Sequence, residues 1–136
     1  MRWTVFWIVA VIATLWNLLG LYTFASALSG VQDVPPAQLA FIESLPSWRW
    51  LSWGVGVAAS VAGSLALLLR RVMAQHLFWL TVAAMIIGFA YDMLAADAVT
   101  HMGSNYPWFT GGLVVAEILF ALYARWAAGQ GMLKRP

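Results

Sequence analysis

Chemistry in this chain has few side chains to draw on. Its 136 residues include five acids, two histidines and no cysteine, which excludes disulfides, thiolate metal sites and cysteine nucleophiles. One acid stands out by its surroundings. Glu117 lies among Val114, Val115, Ile118 and Leu119, and a carboxyl in such a run is expected to be neutral or paired, because an apolar medium penalises the charged form. Its functional reading is a proton-coupled or cation-binding site. Its structural reading, the weightier one on sequence alone, is a neutral carboxyl hydrogen-bonded to another helix. Asn17, in a second apolar run beside Trp16, is the natural partner, worth about 1 kcal/mol as glue between helices. Together the two would line an interior polar pocket with Tyr22 above it.

A second group lies further along, where Tyr91 and Asp92 are followed by Asp97 and His101. On one continuous helix, Asp97 and His101 would share a face at a spacing of four. Two acids and a histidine could hold a divalent cation, yet without a recognised motif the set is weak evidence for one, and no metal is expected. Asp92 is expected to meet Arg49 or a tyrosine hydroxyl, and His101 to be an ordinary interfacial residue. No hydrolase, kinase or zinc-protease signature is present. The two histidines sit in different links of the chain, so a haem pair is not expected either. The chain reads as a non-enzyme with no cofactor.

The elements that must position these groups follow from composition. Hydrophobic residues make up 63% and charged ones 9%, against roughly half and a quarter in ordinary globular domains. A water-soluble enzyme or nucleic-acid binder of this size could not cover its surface with so few charges. The partner is lipid. A spanning helix needs about 20 mostly apolar residues, and four segments meet that, at about 3–28, 50–69, 77–96 and 108–126. The fold class is therefore all-α, an integral membrane four-helix bundle forming one domain over 1–136. The first segment could be mistaken for a secretory signal ending in Ala25-Ser26-Ala27, but its apolar run is longer than a signal core and contains Trp7, Trp16 and Asn17. It is expected to stay as a span. The loop 29–47 carries Asp33, Pro35, Pro36, Glu43 and Pro46, with a short interfacial helix expected near 38–43.

Charge sets the orientation. Arg2, Arg70, Arg71, Arg125, Lys134 and Arg135 fall on one side of this layout and Arg49 alone on the other, so both termini are expected in the cytoplasm. Aromatic residues repeat the boundaries, with Trp3, Trp7, Trp79, Tyr123 and Trp126 on the inner side and Trp48, Trp50, Trp53, Tyr106 and Trp108 on the outer.

Contact between spans in lipid relies on small residues and interhelical hydrogen bonds. Gly56, Ser60, Gly63 and Ser64 form a stripe along the second span, which is expected at the centre of the bundle with Val57, Val61, Leu65 and Leu68 facing lipid. Gly112 and Ala116 offer the same spacing in the fourth span, and Gly88 adds a small residue in the third.

The run Trp16-Asn17-Leu18-Leu19-Gly20, together with Gly63 to Arg71 and then His76-Leu77-Phe78, resembles a group of short four-span bacterial inner-membrane proteins often labelled sugar transporters. The resemblance implies this fold, the bacterial inner membrane as compartment, and small-solute transport. Four helices enclose little, so a carrier of this size is expected to work as a homo-oligomer. The competing expectation is an accessory or scaffold subunit of a larger membrane complex.

Overall fold

A computed structural model describes residues 1–135. Four long helices dominate it: α1 (Arg2–Ser29), α3 (Ser47–Leu68), α4 (Met73–Leu94) and α6 (Tyr106–Gly129), with the short α2 (Pro36–Glu43) and α5 (Ala98–Met102) between them. All four long ones are apolar enough to cross a bilayer, so the chain is an all-α, multi-pass membrane bundle. An even number of crossings leaves both ends of the described chain on one face, here called the terminal end; α2 and α5 lie at the far end.

The boundaries have local causes. Helix α1 stops at Gly30, whose left-handed φ of 70° lets the amide of Val31 reach back to the carbonyl of Ser26, a standard helix stop. Pro36 opens α2 at a position where a missing amide costs nothing. Helix α4 does not run on to His101. It ends at Leu94, Asp97 takes a left-handed φ of 52°, and α5 starts afresh. Asp97 and His101 are four apart on this exposed turn, where the Asp97 carboxylate accepts from Thr100 at 2.8 Å and the His101 ring contacts the Asp97 backbone carbonyl.

The long helices pack in the spatial order α1, α3, α4, α6, with α3 against α4 the most extensive contact. The centre is therefore shared between α3 and α4. The small-residue stripe of α3 works at two places: Gly56 faces Ala84, and a side chain at Gly63 would meet the Phe78 ring at 3.1 Å. Two expectations about faces fail. Val57 is buried, while Leu65 of the supposed lipid face is exposed, because α3 has neighbours on two sides and a wide face turned inward. Gly112 meets nothing within 4 Å and Ala116 is half-buried. The contacting face of α6 is instead the one that buries Glu117, Ala121, Ala124 and Ala127.

At the terminal end Phe6, Ala10 and Ala13 of α1 form one core with Leu67, Phe78, Ala121 and Ala124. Met132 and Leu133 join it because the tail is strapped to the α3–α4 turn: Val72 donates to the Lys134 carbonyl at 3.0 Å and Arg70 Nε to the Met132 carbonyl at 3.0 Å. Arg70 also lies over the Trp3 ring, 4.5 Å from its centroid. The far end is covered differently. Phe41 and Ile42 of α2 close over Ala98 of α5, and His101 stacks on Phe41 with centroids 5.5 Å apart.

Candidate functional site

Between these two ends the bundle is hollow. A cavity of about 570 Å³ is lined from all four long helices and from α2, within the range of small-molecule sites. It exists because α1 packs on α3 and α6 on α4 while α1 and α6 share no extended contact; these two approach at the terminal end, where the rings of Phe6 and Tyr123 are 6.4 Å apart. Each span turns one stripe toward it: Asn17 and Gly20 from α1, Arg49, Ser52, Gly56 and Ser60 from α3, Thr81 and Asp92 from α4, and Tyr106, Thr110 and Glu117 from α6.

The far part of the cavity is built around an ion pair. Arg49 Nε donates to Asp92 Oδ1 at 2.9 Å and Nη2 to Oδ2 at 2.8 Å. Tyr106 Oη adds a third donor to Oδ2 at 2.7 Å. Arg49 is 5% and Asp92 1% exposed, so the pair is desolvated, and its stability depends on this fork geometry and on the extra tyrosine bond. Of the two partners expected for Asp92, it has both. Gly88 makes room for it: a Cβ there would lie 2.6 Å from the Arg49 guanidinium carbon, so a larger residue would displace the guanidinium from this place. The Phe89 ring supports the same group from 5.6 Å. Three helices are thereby joined at one point, and Tyr91 stands outside it, edge-on to Trp48 at 4.8 Å.

Glu117 sits deeper, 3% exposed, where the cavity gives way to the alanine-lined core. Its carboxyl takes part in no hydrogen bond among the described residues, and Oε2 is fully buried without a partner. The expected pairing with Asn17 is not made. Asn17 donates from Nδ2 to Ser64 Oγ at 2.8 Å, and Ser64 in turn reaches the carbonyls of Ser60 and Ala13. The reason is helix order: α1 borders α3, so its amide finds α3, and Glu117 is left facing the hollow. Tyr22 is not above this pocket; it is 71% exposed and points away from the bundle.

Sequence reasoning missed Ser52, Thr81, Thr110 and Gln32. A signal for part of this was present, since Tyr106, Thr110, Leu113 and Glu117 recur at four, three and four residues and so share a helical face. Gln32 carried no such signal. It belongs to the loop after α1, folds back to donate to the Thr23 carbonyl at 3.2 Å, and leaves its Oε1 buried without a partner on the cavity wall. Asp97 and His101 stay outside the cavity altogether.

What the arrangement can do is hold a small, mostly apolar molecule. The walls are chiefly aliphatic and aromatic, the ion pair is already satisfied, and one carboxyl is free to interact. No known protein family, no curated protein and no solved structure matches the chain.

Proposed function

We propose that this chain is a small-solute carrier of the bacterial inner membrane, with both ends in the cytoplasm. The observation that carries the reading is the cavity itself, about 570 Å³ held among the spans of a single chain, with a buried and unpartnered Glu117 on its wall. A bundle meant only to hold itself together would close that space, because voids forfeit dispersion contacts. The lopsided distribution of Lys and Arg supports the orientation, and the likeness to short four-span proteins labelled as transporters agrees with it. Copies associating as a homo-oligomer remain part of the reading, but the solute would bind within each chain.

One observation favours a second reading. The terminal half is sealed by Phe6, Phe78, Ala121 and Ala124 and strapped by the tail, so the cavity has no path to that side. An accessory subunit that binds a lipid-soluble molecule for a larger membrane complex would have the same form.

Thermal-shift screening of the protein in nanodiscs against small lipophilic compounds tests both. Leu113→Trp, which puts an indole into the cavity, is the control. Compounds that stabilise the native chain and not the filled variant support binding at this site; an equal response from both defeats it. Counterflow of such a compound in proteoliposomes then separates the carrier, which exchanges it, from the subunit, which does not.

A further inference from the structure

We infer that the solute is a lipophilic amine, taken from the bilayer as its neutral free base through the gap between α1 and α6 and protonated by Glu117. The inference rests on the cavity-binding reading above and names the chemistry of its ligand.

The route comes first. One end of the cavity is closed by the packed core, and the other is capped by α2 and α5. Trp16 and Leu19 of α1 and Phe109 of α6 line the cavity and are also 40%, 61% and 66% exposed. These mark a mouth between α1 and α6 that opens sideways, with Trp16 and Leu19 in the middle of α1 and Phe109 at the far end of α6. What passes through it must dissolve in lipid, so it arrives uncharged.

The ligand's chemistry follows from the unsatisfied groups. The charged side chains on the wall are Arg49, Asp92 and Glu117. Arg49 and Asp92 neutralise one another, and among the described residues no other basic residue lines the cavity, so Glu117 has no counter-ion there. The two cavity-lining residues with a buried, unpartnered side-chain atom are Glu117 and Gln32, and both atoms are oxygens able to accept. The complement is a group with several N–H donors. The Trp16 indole also lines the cavity, and an aromatic ring suits a cation near it.

An amine reconciles the neutral route with the cationic site. The free base accepts the carboxylic proton of Glu117: an O–H bond breaks, an N–H bond forms, and an alkylammonium is left hydrogen-bonded to the carboxylate. No net charge crosses lipid in the process. A quaternary ammonium cannot do this, having no lone pair to protonate and no N–H to donate. An alcohol of the same shape can only exchange a hydrogen bond.

Four compounds with one rigid cage decide it: 1-adamantylamine, 1-adamantanol, 1-adamantanecarboxylate and 1-adamantyltrimethylammonium, titrated by calorimetry onto the native chain in zwitterionic nanodiscs, with empty nanodiscs subtracted. The amine is expected to bind at least about tenfold tighter than the alcohol, the scale of a close charge pair, with the other two weaker still. Glu117→Gln is expected to bring amine and alcohol level, and Glu117→Asp to keep the preference. The comparison among compounds needs no variant, so a misfolded Glu117→Gln does not remove the test. Equal amine and alcohol binding, a quaternary cation as tight as the amine, a tighter carboxylate, or an amine preference that survives in folded Glu117→Gln each overturns the inference while leaving cavity binding intact. Silence from all four also overturns it, and the broad screen against Leu113→Trp then decides the reading beneath it.

Discussion

Two halves of one bundle meet near the level of Asn17 and Glu117, and they are built on opposite plans. In the terminal half, alanines and phenylalanines of α1, α3, α4 and α6 touch, and the tail adds Met132 and Leu133 to the same core. In the far half the spans stand apart around a cavity and are joined by an ion pair and a tyrosine hydroxyl. Lipid offers no hydrophobic drive between helices, so small residues and polar bonds are the two available means of association. This chain relies mainly on the first in the terminal half and mainly on the second in the far half. Close packing leaves no room for a ligand. A polar clasp at one point ties α6 to α3 and α4 beside a space left open, which is what a binding space requires.

The contrast can be broken most directly at the clasp. Asp92→Ala strands Arg49 in the interior and is expected to lower stability by roughly 3–5 kcal/mol, read as thermal unfolding of the detergent-solubilised protein. The double replacement Arg49→Met with Asp92→Leu removes both charges and should recover most of that loss, while abolishing the fixed geometry of the cavity's far part. If Asp92→Ala unfolds like the native chain, the clasp is not what holds the far half.

Adding bulk sharpens the comparison. Ala13 is completely buried in the terminal half, and Ala13→Leu is expected to cost roughly 1–3 kcal/mol by overpacking. Leu113→Trp adds comparable bulk beside the cavity and should cost less than about 1 kcal/mol, because space already exists there. Equal penalties would mean that the far half is packed as tightly as the other. Two losses of single hydrogen bonds complete the series. Tyr106→Phe removes one of three bonds to Asp92 and is expected to cost about 1–2 kcal/mol. Asn17→Leu breaks the link to Ser64 and should cost about 0.6 kcal/mol, the average for such bonds within a bilayer. Chemical denaturation in mixed micelles would rank the two.

Much of the fold could be read before any coordinates. The four spans were visible because crossing hydrocarbon requires a long apolar run, and a short helix at 38–43 because its apolar residues fall at near-helical spacing; the structure starts it two residues earlier, at Pro36. Glu117, Asn17 and Asp92 were recognisable as polar groups in apolar runs, and Arg49 as the lone cation of the outer side. Their pairings were only partly so. Arg49 and Asp92 could be matched by charge and depth, but Asn17 was matched to Glu117 by depth alone, and depth does not say which helices are neighbours. Gly112 looked like a contact residue by spacing, yet spacing does not say which side of α6 faces inward. Gln32 and the strapped tail depend on loops folding back, for which no periodicity exists.

Composition, hydropathy and charge thus determined by themselves that the chain crosses a bilayer four times with its ends together, since the cost of burying charge and backbone in lipid acts on each segment separately. Helix order, the hollow between α1 and α6, and the solitary position of Glu117 within it were decided by tertiary structure alone. These are properties of how segments meet, and a space between helices is written in no single one of them.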